Sequence, residues 1–314
     1  MRKFSKIFLL GAFLGIVFSD FFIKDFVNNG QKDQISVMAK SESSLPQTPP
    51  IATAISSEKL EFQRLMQSLS DRQLSKLPID QVIQTISAKF LGATYREGLL
   101  DQGETEKLFV SLTKFDCVLF VETVLAFTRN LRSPNPTYEN FSQNVQEVRY
   151  VNGKLDGYCS RLHYFSEWIN DNQKRNIVRD LTAELGGIPL NKTLNFMSSH
   201  WRKYSRMKNN ETNHQCILAM EKEIASQSKQ LRYIPLNKIR SIYSLLKSGD
   251  IVAVTTDIDG LDATHTGLVY LTSDGIGLIH ASPSGQVTIS PDLQRYVKRV
   301  DHAIGIMIAR PVDF

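Results

Sequence analysis

Residues 114–127 read KFDCVLFVETVLAF, an aspartate and a cysteine followed by an almost unbroken apolar run. Val118, Leu119, Phe120, Val121, Val124, Leu125 and Phe127 leave little polar surface, so the spacing predicts a buried helix. Its start reads in two ways: Thr113 with Asp116 three residues on as a capping box, or Asp116 itself as the N-cap. In both, Cys117 falls in the first turn. There the free N–H groups and the positive end of the helix favour an anion and lower a thiol's pKa. A free cysteine is also, and more commonly, a small core residue, so this stretch alone leaves chemistry and packing both open. The helix is predicted to end near Asn130, ahead of Pro134 and Pro136.

Upstream, SEKLEFQRLMQSLSDRQL carries apolar residues at helical spacing, and LPIDQVIQTISAKFL reads as a second helix with Pro78 near its start. LGATYREGLL, residues 91–100, is a glycine-bounded loop. Residues 138–247 hold more helix than strand, with SRLHYFSEWINDN as an amphipathic helix, a break at residues 186–190, and two helices in 191–230. After Lys247 the period changes to two: GDIVAVTT, THTGLVYLT, GIGLIHAS, QVTIS and AIGIMIAR are short β-branched runs, with TSDG as a hairpin turn. Ser290 and Pro291 read as cap and first residue of a short helix. The expected class is α+β, a helical first half against a C-terminal antiparallel sheet.

A nucleophilic cysteine needs a base and a group to orient it. A TSDG loop sets Leu271 opposite Ile276 and His265 opposite Ser282, which puts His280 two places along the partner strand. Residues two apart share a face, so His265 and His280 project together. Ser282, Asp259 and Asp262 compete as orienting groups. A zinc site is the other use of such residues, but the spacings match no usual ligand set, and no metal or other cofactor is expected.

The net charge of +5 and pI near 9.0 fit an anionic partner. No zinc-finger spacing, aromatic RNA-binding strand or long basic run is present, so nucleic acid is not expected. Arg2, Lys3 and Lys6 precede an apolar run from Ile7 to Phe18, the layout of an export signal over residues 1–27. The run is shorter than the roughly 18–20 residues of a membrane span. With no clean cleavage site after it, an uncleaved anchor tethering the chain to the membrane is the alternative. The polar residues 28–58 read as a flexible tether, and 59–314 as the folded body. Among three cysteines, Cys159 and Cys216 are able to pair, with three reduced thiols equally open.

The order LGATYREGLL, FDCVLFVETVLAF, THTGLVY and IHAS resembles the NlpC/p60 cell-wall cysteine peptidases, whose fold is papain-like. FDCVLFVETVLA, YCSRLHYFSEWI, GLDATHTGLVY, LIHASPSGQV and GIMIARP are more closely similar to the N-acetylmuramoyl-L-alanine amidase-like family, over roughly residues 60–314. The resemblance implies an exported or periplasmic hydrolase of peptidoglycan or muropeptides, with Cys117 as nucleophile, His265 as general base and His280 as orienter. It implies Tyr95 beside the nucleophile. Residues 156–247 are then an insertion that shapes the substrate site, with Ser160, Arg161 and His163 as its candidates. HWRKYSRMK, residues 200–208, offers basic residues for stem-peptide carboxylates or the anionic wall.

Overall fold

The computed structural model describes residues 51–69, 73–226 and 231–313; the expected export segment and most of the expected tether lie outside the described residues. The first helix, α1 (Ile51–Ser68), begins inside the stretch read as tether, and α2 (Ile79–Ala88) starts directly after Pro78, which stands at its N-cap. The loop that follows contributes β1 (Thr94–Tyr95), and β2 (Lys114–Phe115) pairs with it in parallel. Then comes α3 (Cys117–Arg132), two residues longer than the prolines suggested, and α4 (Tyr138–Arg149). Of the SRLHYFSEWINDN stretch only the part from Phe165 on is α-helical, in α5 (Phe165–Lys174), and the short strands β3 (Val178–Asp180) and β4 (Ile188–Pro189) follow it.

The region read as two helices divides into the single turns α6 (Phe196–Ser199) and α7 (Ser205–Lys208) and the longer α8 (Glu211–Ser226). Strand β5 (Arg232–Pro235) leads into the second half: β6 (Ile251–Thr256), β7 (Ala263–Thr272), β8 (Gly275–Ser282), β9 (Gln286–Ser290), α9 (Leu293–Val297) and β10 (Ala303–Pro311). The strands run β2-β1-β9-β8-β7-β6-β10-β5-β4 in one mixed sheet, with β3 also on β10. Its centre is the antiparallel sheet the period-two runs imply. The helical half adds short strands at both edges. Among the described residues no helix is long and apolar enough to cross a membrane.

Alternation along the central strands sorts side chains to two layers. Ile251, Ala253, Leu268, Ile279 and Ala281 pack with Leu119, Phe120, Val121 and Val124 of α3. Val252, Val254, Val269 and Leu278 pack with Leu293 and Val297 of α9 on the other face. Helix α3 carries one charge into its layer. Glu122 accepts from Arg149 Nε at 2.7 Å and from Trp168 Nε1 at 3.2 Å, and Arg149 also donates to the Phe109 carbonyl at 2.5 Å. The carboxylate is thus paired and satisfied, as a buried charge must be.

A smaller core gathers Tyr158, Tyr164, Leu194, Phe196, Met197, Met207 and Ile217 from the 156–247 stretch with Leu261 from the loop before β7. A disulfide between Cys159 and Cys216 closes it, Cα to Cα 6.1 Å. Lys192 fastens it to the loop before β7, donating to the carbonyls of Thr256, Ile258 and Leu261 at 2.6, 2.7 and 3.0 Å. Arg206 fastens it to the loop before α3 through Glu106 at 2.9 Å.

Candidate active site

Asp116 is the N-cap of α3, its Oδ1 accepting the Leu119 amide at 2.8 Å, so Cys117 is the first helical residue. The thiol is fully buried and free. The amides of Thr266, Cys117 and Val118 lie near enough to the sulfur to favour its anion. Thr266 follows His265 directly, so the sulfur meets β7 beside that histidine.

The β7–β8 hairpin has the register the turn predicts, Leu271 opposite Ile276, and its ladder ends at Leu268 opposite Ile279. Beyond it the imidazoles meet: His265 Nε2 lies 2.9 Å from His280 Nδ1, with the rings edge to face. Both histidines are buried. Gly267 makes this approach possible. A β-carbon there would stand 2.9 Å from both the His280 Cβ and the Ile279 carbonyl oxygen. His280 Nε2 continues to Ser290 Oγ at 3.3 Å.

Ser290 is therefore not the cap expected of it. Asp292 caps α9 and accepts the Arg295 amide at 2.7 Å, which frees the serine for the histidine. The other proposed orienters are engaged elsewhere or remote. Asp262 accepts the amides of Ser166 and Ala263, Ser282 bonds Ser284, and Asp259 is exposed.

Two half-buried tyrosines flank the sulfur. Tyr95, expected there, and Tyr296, unassigned in the sequence reading, are both raised in pKa by burial and then by the charge Cys117 would carry. The Tyr296 ring also packs against His280, centroids 4.5 Å apart and planes tilted by 51°. Its signal in the sequence was faint, one aromatic in a one-turn helix, and only the fold brings it to the histidines.

The resting protonation state corrects the expectation of a stabilised thiolate. Burial pushes the Cys117 thiol well above its ordinary range, and the Asp116 carboxylate adds to the rise; the three amides oppose both without prevailing. Burial likewise holds His265 far below 6.5, with His280 contributing, and lowers His280 to about 4. At neutral pH the group is a neutral thiol beside two neutral imidazoles.

The insertion residues lie in a separate polar cluster. Arg161 donates to Asp101 at 2.6 Å and to the Leu100 carbonyl at 3.0 Å, and lies over the Tyr158 ring. His163 Nε2 is 2.9 Å from the Tyr158 carbonyl, and burial, with Arg161 nearby, lowers it to about 3. Ser160 Oγ bonds the Gly157 carbonyl and the Asp156 amide. The Arg161 bonds tie this stretch to the loop between Tyr95 and Cys117, while those of His163 and Ser160 brace the turn that carries Arg161. Arg206, from the basic stretch, is buried with Glu106 and does not face solvent. Among the described residues no group of three His, Cys, Asp or Glu side chains is arranged to hold a metal.

Residues 85–306 match the family model described as N-acetylmuramoyl-L-alanine amidase-like. The solved structure of an N-acetylmuramoyl-L-alanine amidase from Bacteroides uniformis is similar, with TM-score 0.69 and 30% identity over 75% of this chain and 99% of that one. A Bacteroides fragilis protein provisionally named a xylanase shares 32% identity over 71% of this chain and 98% of its own, TM-score 0.67. A Legionella pneumophila protein at 20% identity, covering 83% of this chain and 97% of its own, shares the fold with TM-score 0.63. No curated protein matches the chain at a significant level. The family match spans well over half of the sequence, and the chain belongs to the N-acetylmuramoyl-L-alanine amidase-like family.

Proposed function

We propose that this protein hydrolyses an amide bond of peptidoglycan or its fragments through Cys117, in a papain-like arrangement of the NlpC/p60 kind, and that the bond is N-acetylmuramoyl-L-alanine. Family membership supports the substrate. The observation that carries the chemistry is the 2.9 Å contact of His265 Nε2 with His280 Nδ1, on the strand whose next amide lies near the Cys117 sulfur.

With Nε2 engaged, His265 Nδ1 has no hydrogen bond among the described residues and is the nitrogen that takes a proton. The thiol proton passes to it as sulfur attacks the lactyl carbonyl carbon. The oxyanion is received by the amides at the start of α3. The His265 imidazolium then protonates the departing amine of L-alanine, leaving a thioester. Water gives its proton to His265, attacks the thioester and releases the acid, and the proton returns to sulfur. Tyr95 and Tyr296 wall the approach to the sulfur, while Arg161 shapes the site at one remove by fixing the loop that leads into it, and Ser160 and His163 brace the turn that carries Arg161.

The disulfide supports export, since such a bond persists in an oxidising compartment and is uncommon in the cytosol. We place the protein in the cell envelope on that ground, released or held by its N-terminal segment.

The test is mass spectrometry of defined muropeptides before and after incubation, with Cys117→Ala alongside. Release of an intact peptide beginning at L-alanine, absent in the variant, supports the amidase. Cleavage inside the stem peptide, between the γ-D-glutamyl and diamino acid residues, replaces it with an endopeptidase. Wall binding with no product replaces it with a silent binding module, and release of sugars replaces it with a glycosidase.

A further inference from the structure

Ser290 and Tyr296 approach His280 from its two ends. Ser290 Oγ is 3.3 Å from Nε2, and the Tyr296 hydroxyl is 3.5 Å from Nδ1, the nitrogen that also faces His265 Nε2 at 2.9 Å. In a neutral imidazole one nitrogen carries the proton and the other a lone pair. A proton on His280 Nδ1 would make His265 Nε2 the acceptor. The His265 proton would then sit on Nδ1, where it blocks proton uptake from a thiol. A bare His280 Nδ1 instead accepts from His265 Nε2–H, the tyrosine O–H sharing that one lone pair at 3.5 Å, and its own proton sits on Nε2 and goes to the serine.

We propose that Ser290 and Tyr296 are positioning residues that fix this second arrangement, so that the proton chain runs from His265 through His280 to Ser290 and leaves His265 Nδ1 bare for Cys117. The inference rests on His265 being the base. The fold holds both residues in place for the task. Ser290 ends β9, paired with Leu278 of β8. Tyr296 rides on α9, whose cap Asp292 is gripped by Arg240 at 2.5 Å and by the Tyr243 hydroxyl at 3.3 Å, while Gln294 donates to the Leu236 carbonyl at 2.7 Å. Leu293 and Val297 take the core positions of that turn, and Tyr296 is left half-exposed beside the histidines.

The experiment compares the full chain with Ser290→Ala, Ser290→Thr and Tyr296→Phe. It measures kcat and KM on an N-acetylmuramoyl peptide, the melting temperature, and the nitrogen-15 shifts of labelled His280. Loss of one such hydrogen bond is expected to lower kcat by roughly 10-fold in Ser290→Ala and in Tyr296→Phe. KM and melting temperature hold, and Ser290→Thr restores the rate. The His280 spectrum moves from a pure Nε2–H form in the parent toward a mixture. Unchanged kcat, or a loss carried by KM or by melting temperature, overturns the proposal. So does a parent His280 protonated at Nδ1, whatever the activity. Hydrolysis that survives Cys117→Ala defeats the reading of the site instead, and the nitrogen spectrum keeps the two failures apart.

Discussion

Gly267 and His280 face each other across β7 and β8 so closely that an added β-carbon would lie 2.9 Å from the His280 Cβ. That spacing lets His265, two residues before the glycine, reach His280 at 2.9 Å. Real β-carbons do not tolerate such contacts, and the Ile279 carbonyl on the same side cannot swing away. Gly267→Ala is therefore expected to displace β8 and part the imidazoles. Misplacement on the order of 1 Å costs about 100-fold in kcat. Steady-state kinetics, with circular dichroism to confirm folding, checks this.

Asp116 does two opposed things. Its Oδ1 caps α3, and its charge raises the Cys117 thiol. Burial lifts Asp116 itself to about 7, so near neutral pH it is part-protonated. Asn caps a helix about as well as Asp but carries no charge. In Asp116→Asn the alkylation of Cys117 by iodoacetamide, which follows the thiolate, should shift its rising limb to lower pH. Melting should move little. A limb shifted upward would show that the carboxylate helps the thiolate.

Buried neutral histidines make the protein sensitive to acid. His163 stays neutral in the folded chain until about pH 3, and His280 until about 4. The unfolded chain takes up those protons near 6.5. Between these values the unfolded state binds more protons, so stability falls as pH drops below 6.5. Asp116 and Glu167, each raised to about 7, act in the opposite sense by binding protons first in the folded state. His163→Gln removes one contribution while retaining a donor for the Tyr158 carbonyl. The loss of stability from pH 7 to pH 4, read by urea denaturation, should be smaller in that variant by about 3 kcal/mol.

The Cys159–Cys216 bond spans 57 residues of sequence and ties the turn at Tyr158–Ser160 to α8. A loop of that size is constrained by about 4 kcal/mol in the unfolded chain. Reductant, or the double Cys→Ser variant, is expected to lower stability by up to that amount, read by denaturant titration. Unchanged stability under full reduction would remove the disulfide as a support for export.

The helix start, the hairpin register and the meeting of two histidines were legible because each depends on local rules. A cap fixes the first turn, a four-residue loop fixes the pairing, and parity does the rest. Gly267 also left a signal, since glycine inside a strand marks a close approach. What escaped depends on distant chain. Ser290 looked like a cap because Ser-Pro opens helices, but Asp292 lies closer to the turn that forms. Tyr296 shows its role only once α9 is laid against the sheet. The thiol's pKa escaped for a related reason: a helix N-terminus predicts a lowered value, while complete burial and an adjacent carboxylate reverse the sign. The partner of the buried Glu122, Arg149, likewise lies a helix away.

The central claim is that Cys117 becomes acylated during turnover. Acid quench of the protein with an N-acetylmuramoyl peptide, followed by mass spectrometry of the digested chain, reads this directly. The account predicts a muramoyl adduct on the peptide carrying Cys117, absent in Cys117→Ala and accumulating when His265 is replaced by a residue that cannot activate water yet leaves slow acylation. Turnover with no adduct on Cys117 at any quench time, in a chain that still cleaves when that cysteine is replaced, would contradict it.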